Sequence, residues 1–159
     1  MTFSLGRDLS SVIQHVAHIA NTALTAGGGG DNTAINGTTI QLSTLFPNNQ
    51  RAESVALLLG GKATVASSSQ TLRVTVTLQE SVDGTTWTNL VTGTATVGPV
   101  TVVNGVTTAA DWQYEFGWDL TKVTQDRLRF VVTPDLSASG TDTANVFGVV
   151  VFGGLSARR

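Results

Sequence analysis

Two histidines, His15 and His18, lie three residues apart near the start of the chain and are its only imidazoles. On a helix that spacing puts both rings on one face, as a zinc site needs. A third ligand would have to come from Asp8, Asp31 or a more distant carboxylate, and no spacing singles one out. Two polar residues beside an apolar stripe are the simpler reading, so no metal site is assigned. A serine or threonine nucleophile needs a base beside it. Both candidate bases sit in the N-terminal segment, and no G-x-S-x-G elbow occurs. Gly27-Gly28-Gly29-Gly30 runs into Asp31-Asn32-Thr33 instead of Lys-Ser or Lys-Thr, and an acid there repels phosphate. Asp111, Glu115 and Asp119 could act as paired carboxylates in glycoside hydrolysis. On a strand, however, they share one face, opposite Trp112, Tyr114, Phe116 and Trp118. A polar outer face and an aromatic inner face then account for the whole run. We therefore assign no catalytic residue, no cofactor and no metal, and read the chain as not an enzyme. Trp87, Trp112, Tyr114 and Trp118 could instead form a platform for stacking sugar rings. The alternative is that they fill a core, which leaves Trp87, beside a turn, as the ring expected at the surface.

The elements that would carry these residues are mostly strands. In 71–80, Leu72, Val74, Val76 and Leu78 alternate with Arg73, Thr75, Thr77 and Gln79, the pattern of a one-sided strand. Asp83-Gly84 follows and signals a tight hairpin, because both residues tolerate positive φ. Glu53–Leu59 is nearly all apolar and is expected to stop at Gly60-Gly61. Thr38–Leu42 reads as a strand ending near Pro47. Segments 87–97 and 99–107 read as Thr/Val strands parted by Gly98-Pro99, with a turn at Asn104-Gly105. Leu128, Phe130 and Val132 alternate up to Pro134, which is expected to end that strand. Val146–Phe152 closes the series, with Gly148 as a bulge or a close-packing point. About eight strands result. They predict an all-β, jelly-roll-like antiparallel sandwich over residues 31–159, with an immunoglobulin-like sandwich as the neighbouring possibility.

Residues 1–30 differ. Leu9, Val12, Ile13, Val16, Ile19 and Ala20 recur at three- and four-residue steps, as on one face of a short helix, and Ser11-x-x-Gln14 has capping-box spacing. The β-branched residues among them suit an extended arm instead. The spacing favours the helix, and Gly27–Gly30 is then a joint or a loop tip. Removing residues 1–20 should leave the sandwich folded.

Composition narrows the partners. Of 159 residues 41% are hydrophobic and only 13% charged, against about 25% charged in ordinary domains. Exposed strand faces carrying Thr and Ser, or burial in an assembly, would each explain that. A net charge of −2 with scattered Lys and Arg provides no footprint for nucleic acid. With no cysteine, disulfides and thiolate sites are excluded. No apolar run approaches the roughly 18–20 residues that span a bilayer, and no secretory signal pattern opens the sequence. Folding in the cytoplasm of the producing cell, with no membrane partner, is expected.

Three stretches resemble the small β-sandwich decoration (cement) and head-associated proteins of tailed bacteriophages. They are NTALTAGGGGDNTAINGTTIQL at 21–42, LQESVDGTTWTNL at 78–90 and NVFGVVVFGGL at 145–155. The resemblance implies a structural protein of the virion that bridges neighbouring major capsid proteins or other virion proteins. It implies a homo-oligomer, trimer or dimer, without catalytic residues or small-molecule ligand. Partner contacts are then expected on the terminal arms, at Phe3, Leu5, Leu9, Val12, Ile13, Val16, Arg158 and Arg159, and at the exposed ring of Trp87. A carbohydrate-binding or host-recognition module on a virion or cell surface is the rival reading.

Overall fold

The computed structural model describes residues 14–47, 50–90, 96–105, 109–121, 123–137, 140–154 and 156–157. Seven long strands carry the fold: β1 (Gln14–Thr25), β5 (Ser54–Thr64), β6 (Thr71–Ser81), β8 (Thr96–Asn104), β9 (Ala110–Asp119), β10 (Arg127–Leu136) and β11 (Thr143–Gly153). Between them lie the short strands β2 (Ile35–Asn36), β3 (Ile40–Gln41), β4 (Gln50–Arg51), β7 (Thr88–Asn89) and β12 (Ser156–Ala157), and a single turn of helix, α1 (Leu42–Leu45).

One sheet has the order β1-β11-β5-β9. The other runs β2-β10-β6-β7, with β3 also on β10 and β8 also on β6. Counting β2 with β3, and β7 with β8, as single interrupted strands leaves eight among the described residues, four in each sheet, and the chain changes sheet at every step except from β6 to β7/β8, which pair as a hairpin. That is the jelly-roll order, and every pairing in both sheets is antiparallel. β4 and β12 pair separately.

The core follows from period-two alternation. Leu72, Val74, Val76 and Leu78 of β6 face Leu136, Pro134, Val132 and Phe130 of β10 in register, and the hydrophobic side chains among them are buried. The facing sheet supplies Val55, Leu57, Leu59, Val146, Val150 and Phe152. Trp118 bridges the layers, its ring 5.0 Å from that of Phe130 and 6.2 Å from that of Phe116.

Several expectations change in the tertiary structure. Over residues 14–20 the chain is strand, not helix. Relative to β11, β1 carries one extra residue between Ala17 and Ile19 and another between Ile19 and Thr22. These bulges turn a period of two into steps of about three, which reproduces helical spacing in an extended chain. Residues 9–13 lie outside the described residues. Because His18 and Ile19 are buried in the sandwich, removing residues 1–20 takes away part of the core instead of leaving the sandwich whole. The strand expected to stop at Gly60-Gly61 continues through both glycines to Thr64. A Cβ on Gly61 would lie 1.9 Å from the Asn145 carbonyl oxygen, so glycine lets β11 approach β5.

Pro134 does not end β10. Its carbonyl accepts from the Asn32 N–H, so the side lacking a donor also points away from β6 and the β6 ladder is spared. Gly98-Pro99 does not divide two strands but sits within β8, at an irregularity on the edge of the sheet. Only Ile40–Gln41 of the expected 38–42 strand is extended. The Asp83-Gly84 hairpin forms, with Gln79 opposite Asn89, but around a loop longer than two residues. Gly148 is a close-packing point as expected: a Cβ there would meet Leu59 Cδ2 at 2.8 Å.

Candidate functional site

The outer face of the four-stranded sheet is the most distinctive surface. Its residues are those out of phase with the core: Ala56, Leu58, Gly60 and Lys62 on β5, Asn145, Phe147, Val149 and Val151 on β11, and Asp111, Gln113, Glu115 and Gly117 on β9. An outward sheet face is normally polar, yet Leu58 is 41% and Phe147 47% exposed here. Phe147 stands opposite Gly60, and a Cβ at Gly60 would lie 3.2 Å from the ring tip. Together with the edge strand, these side chains border an open groove of about 1090 Å³ lined by Leu58, Gly60, Gln113, Tyr114, Glu115 and Phe147 among others.

Tyr114 shares the parity of Trp112, Phe116 and Trp118, but it is 42% exposed while the other three are buried. The four rings therefore do not form one inner block, because β9 is the sheet edge and Tyr114 opens onto the groove. Trp112 also lines it, and its buried Nε1–H has no hydrogen-bond partner among the described residues. The rim carries an exposed Lys62–Asp111 pair at 3.4 Å, of a kind that contributes little to stability. Asp111, Glu115 and Asp119 are all exposed on the outer side, as the alternation required.

His15 and His18 do not share a face. His15 is exposed, whereas the bulge turns His18 inward until it is 3% exposed. There its Nε2 accepts the Phe130 N–H at 2.9 Å. On that flank of β10, β2 pairs with Val131–Val132 and β3 with Arg127–Leu128, so the imidazole fills the break between them. Gly37 packs on the ring so closely that a Cβ would lie 1.9 Å from Nε2. Burial pushes the His18 imidazole down to about 4. The ring is therefore neutral near pH 7, with its proton on Nδ1, which has no partner among the described residues. Among the described residues no group of three or more His, Cys, Asp or Glu is placed to hold a metal ion.

Trp87 is half-buried. The Arg129 guanidinium lies 4.2 Å from its ring centre, and its indole N–H donates to the Gly84 carbonyl. One face of the ring expected to be free is thus covered. Asp83 organises the turn by accepting from the Thr85 and Thr86 N–H groups at 2.8 Å, bonds that hold its carboxyl well below the usual carboxylate range. Gly27–Gly30 forms a loop tip: the Asp31 carboxylate accepts from the N–H groups of Gly27 and Leu136. Val16 is half-buried and packs against the core. Phe3, Leu5, Leu9, Val12, Ile13, Arg158 and Arg159 lie outside the described residues. The groove centred on Leu58 and Phe147 escaped sequence reading, because an all-apolar strand does not reveal which of its faces will be covered.

No family model matches the chain, and no curated protein matches it. Solved structures with a similar backbone include the infectious bursal disease virus Gt strain, at 10% identity and TM-score 0.43, and the Gx strain, at 10% and 0.45. The VP2 subviral particle of infectious bursal disease virus is a third, at 11% and 0.41. Each match covers 88% of this chain and 32% of the other, so the chain spans about a third of the length of those it matches.

Proposed function

We propose that this is a structural protein located in a virion, a capsid decoration or cement subunit that bridges neighbouring major capsid proteins or other virion proteins as a homo-oligomer, trimer or dimer. The supporting observation is the outer face of the four-stranded sheet. Leu58 and Phe147 stand exposed at its centre beside half-buried Val149 and Val151. Contiguous exposed apolar surface on a small β-domain is stabilised by covering it with protein. The low charge of the chain suits repeated, weak, largely uncharged contacts, and the two-layer sandwich provides a stiff body to carry them. The test is mass spectrometry of purified particles followed by rebinding of the full-length protein to stripped shells. A fixed copy number per shell and saturable rebinding are expected. Absence from particles, or no rebinding, would refute the assignment.

A second reading, a carbohydrate-binding or host-recognition module, draws on the same groove rather than on Trp87. The exposed rings of Tyr114 and Phe147 offer stacking faces, and Gln113 and Glu115 on the same groove offer polar groups. It predicts a saturable change in tryptophan emission on titration with oligosaccharides, and an unchanged spectrum would exclude it.

A further inference from the structure

β9 presents an open edge. Among the described residues it pairs with β5 alone. The Leu120 N–H donates to the Glu53 carbonyl at 2.9 Å, in the same register. The main-chain N–H and C=O of one strand residue point the same way and alternate along the strand. Trp112, Tyr114, Phe116 and Trp118 therefore direct theirs at β5, while Gln113, Glu115 and Gly117 direct theirs outward. Uncovered edges of this length pair with other strands unless they are blunted. The opposite edge, β1, is blunted by its two bulges; β9 has a regular register with no shift.

We infer that the β9 edge receives residues 1–13 of a second copy of this chain as an added antiparallel strand. Three observations favour that occupant. First, in an extended chain Phe3, Leu5, Arg7 and Leu9 share one side. Turned to the outer face, they bring apolar groups towards Leu58 and Phe147, and a cation towards Glu115, which stands opposite Leu58. Second, a second β9 supplies no counter-charge, because Asp111, Glu115 and Asp119 are its only charged residues. Third, the chain's own segment is badly placed. It joins β1 at Gln14, on the far edge of the sheet and at the β5 end where Ser54 meets Asp119. Reaching the outside of β9 means crossing four strand spacings of roughly 4.8 Å, which takes about six residues at roughly 3.3 Å each. What is left would run parallel to β9, and a parallel return needs a connection of about a dozen residues or more. A second copy has neither restriction. The inference concerns how copies meet and stands whether or not their assembly is part of a virion.

The test uses the isolated protein. Light-scattering mass and amide hydrogen exchange are measured for the full chain, for a chain lacking residues 1–13, and for Gln113→Pro, which removes an outward N–H and leaves the β5 ladder whole. The full chain should be oligomeric, with the Gln113, Glu115 and Gly117 amides protected. Both variants should be monomeric, and the truncated chain should lose that protection and regain it when a synthetic 1–13 peptide is added. Circular dichroism and melting of each variant report whether it is folded, and the truncation and the peptide do not depend on Gln113→Pro folding. A full chain that is monomeric with a protected edge would show that its own segment binds there, overturning the second-copy assignment. Unprotected edge amides in an oligomeric full chain, or an oligomer that survives removal of 1–13, would overturn strand addition altogether.

Discussion

A neutral imidazole buried between two sheets gives this molecule its clearest pH dependence. His18 ionises near 6.5 in an unfolded chain and at about 4 in the folded one. Between those values the unfolded state holds the proton and the folded state does not, so stability falls as pH drops from about 6.5 to about 4. The full difference is on the order of 3 kcal/mol. Urea unfolding across that range should show the slope, and His18→Leu should flatten it relative to wild type. The same substitution leaves the Phe130 N–H without its acceptor, which costs about 1–3 kcal/mol at neutral pH. An unchanged slope in the variant would mean that other groups carry the acid sensitivity.

Elements here are shaped as much by small residues as by large ones. β5 and β11 lie together over Thr143–Gly153, and Gly61 is where Asn145 approaches most closely. Gly61→Ala should therefore lower stability by more than about 2 kcal/mol in thermal or urea unfolding, because the atom it meets is backbone and has no rotamer to yield. A near-neutral result would show that the strands can slide apart locally. The same lesson holds at β1, where bulges disguise a strand as helical spacing, and at Pro134, which is tolerated because its donor-less side faces away from the β6 ladder.

For the whole molecule, the apolar outer face is the feature that asks for a partner. Phe147→Asp should weaken self-association or rebinding to particles severalfold, read by light scattering and sedimentation. It should lower unfolding stability by only about 1–2 kcal/mol, since half of the ring is already in solvent. A large loss of stability with intact association would place Phe147 in the fold rather than in an interface.

The sequence by itself determined the class of fold. Alternation in 71–80 and 127–132, and the turn residues at 83–84, specify strands and a hairpin because their physics is local. It also determined that Asp111, Glu115 and Asp119 face away from the aromatic core. Only the tertiary structure decided the course of 14–25, the exposure of Tyr114 at a sheet edge, the burial of His18, and the open outer face of Leu58 and Phe147. These depend on which strand lies beside which, on register slips of one residue, and on whether a second layer covers a given face. Contacts between residues as far apart as 18 and 130 leave no periodic mark on either segment, and so could not be read before the sheets were assembled.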